Sequence, residues 1–477
     1  MGVSHKEENF VVIELGSHTT KAVLDTSDIN KLPTVVIRTR AGILKHDSKE
    51  KPESSSGKDD AKDAPPPSPS HINGTTMEVD PTEAAQRPAL AAAANEEEEE
   101  PSNTTNGDPA ADDAVSNEAE QDGNDVSYVF GDALDSTVSD DLDGTVDVIS
   151  GGIVQDWDAL SGFLRHVVTK ELGIHLSRNI SPILFSIPAL WPKTDLERLA
   201  QVAFEHLNAP AIVISEQPLA ALYGNGKMSG LVVDIGHTTT TVTPIVDSYI
   251  QSSTIAQCNV AGAAVTKRLR ELLQDDSAVR SQFDAGAVPL EFAEALKESG
   301  MCRLRLVLAS NQEDGGEEED SGPSELEYSG RKYKISKEIM FKAPEILVNP
   351  TNQGAVRLTT LMQQAVLACD PDKRTALWEN ISVVGGSSQF GGLKEYLQSE
   401  LETTVLPGSN MFALSQTREI KFLSLPDYFV GWRNRAHWAG FLGACIMAKI
   451  VINDARHNMT RAEYNEGGPS TVHTKTL

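Results

Sequence analysis

The chain of 477 residues carries a formal net charge of −28 and 39% hydrophobic residues, enough length and apolar content for two or more core-bearing lobes. Its four cysteines, Cys258, Cys302, Cys369 and Cys445, stand far apart, without metal-ligand spacing or the pairing of a short secreted chain, so structural thiols in a reducing compartment are expected. The acidic balance argues against direct binding of DNA phosphates, and the most apolar helix, Trp438 to Ile452, is too short for a bilayer of ~30 Å and carries Lys449, so neither DNA binding nor a membrane role is expected.

From the N-terminus, MGVSHKEENF has no apolar signal-peptide core, and Lys6 stands where a myristoylation motif needs Ser or Thr. Phe10 to Ile13 is a short β-rich run that ends at Glu14 and a glycine-containing turn, Leu15-Gly16-Ser17-His18, before Thr19-Thr20-Lys21. Lys45 to Val126 is rich in acid, Pro, Ser and Ala, with the run Glu96 to Glu100. With so few large apolar side chains it cannot offset an ordering cost of ~1 to 2 kcal/mol per residue, and a disordered acidic insertion is expected over 45–126. Asp156 opens a helix whose Trp157, Leu160, Leu164, Val167 and Val168 share one face. A buried strand follows Pro182, and Thr194-Asp195-Leu196-Glu197 reads as a capping box opening a second helix with Leu196, Leu199, Ala203 and Leu207 inward. Gln217 to Tyr223 is a further helix, and Leu231 to Pro244, LVVDIGHTTTTVTP, repeats the strand, acid and tight-turn pattern of the first hairpin. Asn311 to Glu325, NQEDGGEEEDSGPSE, reads as a second solvated acidic loop at about 310–327. These apolar stripes establish core packing and say nothing of chemistry.

A turn of small residues lets backbone N–H groups face phosphate oxygens, and a lysine at its end adds a compensating charge, so the two hairpins are candidate phosphate sites. His18 and His237 would face one cleft from opposite hairpins. Two histidines without a third ligand rarely hold a metal, and drift in a relaxed pocket explains them better.

The two hairpins, the entry Gly152-Ile153-Val154-Gln155-Asp156-Trp157-Asp158, the Pro182 to Pro210 block, Gln217 to Tyr223, Ala261-Gly262, Lys297-Glu298, the loop Val383 to Phe390 (VVGGSSQF) and the tail Asn465 to Leu477 (NEGGPSTVHTKTL) after the helical segment from Trp438 occur in an order that resembles the actin family. The resemblance implies an α/β actin-like ATPase fold, two lobes each built on a β-sheet with flanking helices around a nucleotide cleft. It divides the chain into 1–44 (first hairpin and start of lobe I), 45–126 (insertion), 127–230 (rest of lobe I), 231–437 (lobe II) and 438–477 (C-terminal helices returning to lobe I). It implies vestigial nucleotide contacts at Glu14, Gly16, Ser17, Lys21, Asp234, Gly236, Lys297, Glu298, Gly385 and Gly386, a metal held through water by Glu14 and Asp234, and a water-positioning remnant at Gln217.

The sequence departs from that family in the same loops. His18 replaces a glycine, Glu14 is one methylene longer than the family's aspartate, and Leu15, Ile235 and His237 replace Asn, Ser and Asp. Thr241 replaces a histidine that assists the hydrolytic water, and Gln389-Phe390 replaces Met-Tyr. Phosphoryl transfer rests on positioning and electrostatics, so ATP with Mg is expected to bind weakly or not at all, no cofactor is required and hydrolysis is negligible. The acidic insertion sits where a filament contact would be, which argues against polymerisation. Decayed phosphate turns with acidic inserts look most like the actin-related subunits of fungal SWI/SNF and RSC chromatin remodellers. That likeness implies a nuclear scaffold that binds the helicase-SANT-associated helix of a Snf2-type ATPase and pairs with a second actin-related protein, with a partner cleft at Tyr223, Met228, Ala439 and Met447. A nucleotide-responsive subunit of another remodeller and a cytoplasmic filament-associated relative are the alternatives.

Overall fold

The structure, a computed structural model, describes residues 5–45, 127–137, 141–284, 286–305, 323–350, 356–406, 417 and 419–475. The 45–126 insertion, apart from Lys45, and most of the second acidic loop lie outside the described residues.

Two mixed sheets repeat one local plan. In the first, the hairpin Val11–Glu14 and Thr19–Leu24 is extended by Val35–Arg38 on one side and by the parallel strand Ile183–Ile187 on the other, then by Ala211–Glu216 and the edge pair Met459–Thr460. In the second, the hairpin Gly230–Ile235 and Thr240–Val246 takes Ile381–Val384 as its parallel neighbour. Largely apolar runs such as Ile183–Ile187, in which only Ser186 is polar and every position is buried, are what a parallel strand covered on both faces requires. The first strand of one hairpin ends at Glu14 and that of the other carries Asp234 one residue before its end, which places both carboxylates near the carboxyl ends of parallel strands.

Three apolar cores follow. One fills the first lobe around Leu160, Phe163 and Phe185, a second fills the other lobe around Leu269, Phe292 and Leu397, and a third joins the two sheets. That third core draws Val12 and Leu184 from one sheet and Val232 and Val384 from the other, and it is centred on the crossing helices Gln217–Gly224 and Ala439–Val451. The crossing is backbone on backbone. A Cβ added at Gly443 would lie 1.6 Å from the Ala220 carbonyl oxygen, and one at Gly224 would lie 2.3 Å from that of Ala439.

Asp156 caps the Trp157–His166 helix, its side chain accepting from the amides of Asp158 and Ala159, and it also accepts from the Tyr128 hydroxyl at 2.8 Å. Three sequence expectations are corrected. The Lys193–Gln201 helix starts two residues earlier than the capping-box reading of Thr194 to Glu197, because Pro192 supplies the pre-set backbone and leaves Thr194 inside the first turn. The last acidic stretch does not run to about residue 327. Ser324–Tyr328 pairs with Arg331–Ile335, Leu326 turning inward and Glu325 meeting Lys332 at 3.7 Å. The helix before the tail spans Ala439–Val451 only, and the tail is reached through Met459–Thr460 and Arg461–Gly467, opened by a true capping box of Thr460 and Glu463. Among the described residues no helix is long and apolar enough to cross a membrane, and the four cysteines are free.

Candidate functional site

The two turns face each other across a cleft of about 970 Å³. From the first hairpin Glu14, Gly16, Ser17 and Lys21 line it; from the second, Asp234, Gly236 and Thr241. Gln217 enters from the head of its helix, Lys297 and Glu298 from the end of Leu290–Glu298, and Gly385 and Gly386 from the turn after Ile381–Val384. All eleven residues picked out for nucleotide, metal or water are therefore brought to one place. Gly385 has φ +89° with the Asp234 carboxylate and the Ile235 carbonyl packed against it, so only glycine fits there.

Inside the cleft these groups mostly engage one another. Cross-strand register sets Glu14 opposite Lys21, and the ammonium is ion-paired to Glu14 Oε1 with both side chains nearly buried. Asp234 is partly buried in the cleft wall; desolvation pushes its carboxyl up to about 6, the Glu14 charge adding to the rise and Lys21 opposing it. The Gln217 amide donates to the carbonyls of Leu15 at 2.7 Å and Ser186 at 3.3 Å. Lys297 donates to Thr266 Oγ1 at 2.8 Å, and burial lowers its pKa. Glu298 lies 3.6 Å from Arg38 of the opposite lobe.

The turns themselves have changed character. Leu15 and Ile235 are wholly buried, each packed into the core of its own lobe, so the turns present no polar side chain to a ligand at these two positions. His18 and His237 stack across the cleft with ring centroids 4.4 Å apart. Among the described residues no group of three or more His, Cys, Asp or Glu is placed to hold a metal ion. Because Lys21 already neutralises Glu14 and the imidazoles lie between the turns, these residues fit a tightly held Mg–triphosphate poorly.

Sequence reasoning missed Arg38, which links His18 to Glu294 and Glu298, and it missed the cluster Arg435, His437 and Trp438 on the cleft wall. Trp438 stands between two cations, Arg435 at 5.2 Å and Lys21 at 5.9 Å from its ring. Burial, then Lys21, Arg435 and Lys394, depress the His437 pKa to about 4. The string Arg433-Asn434-Arg435-Ala436-His437-Trp438, cations and an aromatic just before an apolar helix, was the available signal.

The four residues expected at a partner cleft differ in exposure. Met228 is 61% exposed and Tyr223 is half-buried, its hydroxyl donating to Ser248 Oγ at 3.0 Å. Ala439 (1% exposed) and Met447 (2%) are core residues, because the Ala439–Val451 helix is apolar on nearly every face and packs inward on Gln217–Gly224. The exposed apolar residues beside Met228 are instead Tyr249 and Tyr428, at 77% and 69%. Ser248 N donates to the Met228 carbonyl at 2.7 Å, which holds Tyr249 close to Met228, and the Tyr428 hydroxyl lies 4.0 Å from the position of a Cβ at Gly226.

Two like sheets facing each other, each presenting an acidic strand end and a tight turn to a shared cleft, define a two-lobed protein of the phosphate-hairpin class. The family model described as Actin matches residues 5–285 and 320–477, and the chain belongs to the actin family. Actin-like protein 9 of Rattus norvegicus is 28% identical over 68% of this chain and 72% of its own. Actin-related protein 7 of Arabidopsis thaliana is 27% identical over 71% of this chain and 87% of its own. The SWI/SNF and RSC complexes subunit arp9 of Schizosaccharomyces pombe is 25% identical over 70% of this chain and 80% of its own.

Proposed function

We propose that this protein is a nuclear, non-catalytic actin-related subunit of a chromatin-remodelling complex of SWI/SNF or RSC type. The observation that carries the non-catalytic reading is the cleft whose side chains engage one another: Glu14 with Lys21, Glu298 with Arg38, and the neutral His18 ring with His237. The remodeller assignment is supported by the likeness to a fission-yeast protein whose name places it in those complexes. In this reading the protein offers shape rather than turnover. The patch of Met228, Tyr249 and Tyr428 beside Tyr223 receives an amphipathic helix ahead of the Snf2-type ATPase domain, and a second actin-related protein binds the same helix.

The test is affinity purification of the tagged full-length protein from its own cells, with mass spectrometry at moderate salt. Recovery of a Snf2-type ATPase and a second actin-related protein is expected, and Met228→Asp combined with Tyr428→Ala reduces both at least about tenfold, as loss of central apolar anchors does. Recovery of cytoplasmic filament regulators in their place overturns the reading.

A second expectation concerns chemistry. The isolated protein releases no phosphate from ATP above a protein-free control, and its Kd for MgATP is weaker than about 0.1 mM. Phosphate release that is abolished by Gln217→Ala would show an active site and refute the non-catalytic assignment.

A further inference from the structure

At the mouth of the cleft the two lobes touch mainly through side chains. His18, in the first turn, stacks on His237 in the second, the planes tilted by 39°. Arg38, at the end of the outer strand of the first sheet, donates to His18 Nε2 and reaches across the mouth to Glu294 at 3.7 Å and Glu298 at 3.6 Å on the helix of the other lobe. Beside them the Gly151 amide donates to Thr238 Oγ1 at 3.1 Å, a further bond from lobe to lobe. The path runs from second lobe to first and back to second with no gap.

We infer that this chain of contacts is an internal clamp, which holds the lobes together without nucleotide and fills the space between the turns that a polyphosphate would need. It stands independently of the remodeller assignment, since it concerns only how the two lobes stay closed.

The chemistry of the links fits a neutral clamp. Guanidinium has five donors and no acceptor, so His18 Nε2 must offer its lone pair and the ring must be uncharged. His18 is faced by His237, Arg38, Lys297 and Arg40, and His237 by Lys297 and Arg38, while Glu294 and Glu298 lie beyond Arg38. Burial first, and these cations second, hold His18 at about 3 and His237 at about 4. A pKa depressed in the closed state means that the contribution is complete above the ordinary value near 6.5. It is lost as pH falls from there toward 4 and 3. At neutral pH the clamp is shut. The rim ion pairs are half-exposed and individually weak. Their effect depends on sharing Arg38 with the imidazole stack, so one residue controls the whole path.

Hydrogen exchange of the purified full-length protein at pH 7, read on peptides covering 15–21, 235–241 and 290–298, tests this. The wild type is expected to exchange identically with and without 1 mM MgATP. Arg38→Ala raises exchange at least tenfold in all three peptides together, although two of them belong to the lobe that was not altered. Glu294→Gln with Glu298→Gln gives a smaller rise of the same pattern, and this surface variant keeps the test available if Arg38→Ala does not fold. The clamp is overturned if the Arg38→Ala effect stays within its own lobe, or if MgATP alone adds strong protection to the wild type.

Discussion

Gly443→Ala is expected to lower the melting temperature by about 10 °C or to leave the protein insoluble, a loss of roughly 3 kcal/mol or more. The sign is what makes the experiment informative. In an exposed helix interior the same change stabilises by about 1 kcal/mol, because alanine restricts the unfolded chain and favours the helix. Here the new methyl would sit 1.6 Å from the Ala220 carbonyl oxygen, 2.5 Å from its carbon and 2.9 Å from the Gly224 amide nitrogen. None of these atoms is the movable end of a side chain. The Gln217–Gly224 and Ala439–Val451 helices would have to separate, opening the core that joins the two sheets. The cleft is coupled to that separation through Gln217, at the head of one helix, and through Glu14, whose Oε2 lies 3.3 Å from the position of a Cβ at Gly440 on the other. Gly440→Ala is therefore the matched control, with a carboxylate able to give way, and should cost far less. A melting temperature for Gly443→Ala equal to or above the wild type would mean that the helices do not cross as closely as described.

The parts of this architecture that could be read from the sequence are those encoded by neighbouring residues. A β-rich run, an acid and a glycine turn lie within a dozen positions, so both hairpins and the Asp156 cap were legible, and Leu160, Leu164, Val167 and Val168 are indeed buried. Where the signal was ambiguous the structure chose differently. Thr194 and Glu197 satisfy a capping pattern, yet Pro192 fixes the helix start two residues earlier. Ala439 and Met447 read as groove residues, but a helix this apolar gives no sign of which face is free until its glycines are seen against another backbone. Arg38 was illegible for a different reason. It lies 20 residues from His18 and belongs to no motif, and only the pairing of Val35–Arg38 with Thr19–Leu24 brings it beside the turn and across from Glu294 and Glu298.

Asp234→Asn is expected to stabilise the protein at pH 7.5 by about 2 to 3 kcal/mol, since each pKa unit corresponds to about 1.4 kcal/mol. Burial and the Glu14 charge raise the Asp234 carboxyl from 3.8 to about 6, so the native state holds this proton more tightly than the unfolded chain does. That preference favours the fold fully below the unfolded value near 3.8 and is lost as pH rises through about 6. Above that, the native state keeps an ionised carboxylate in a partly desolvated position of the cleft wall. The amide is nearly isosteric and uncharged, so the variant's advantage should be close to zero at pH 4, grow between pH 4 and 6, and level off above 6 in denaturant titrations. Adding Mg²⁺ separates two explanations for why an acid stands there. If Lys21 is the counter-ion that matters, millimolar Mg²⁺ leaves the wild type and the variant equally far apart. If instead the ion narrows the gap by stabilising only the wild type, Glu14 and Asp234 still hold a cation together, and the pairing of Glu14 with Lys21 is not the resting arrangement of the cleft.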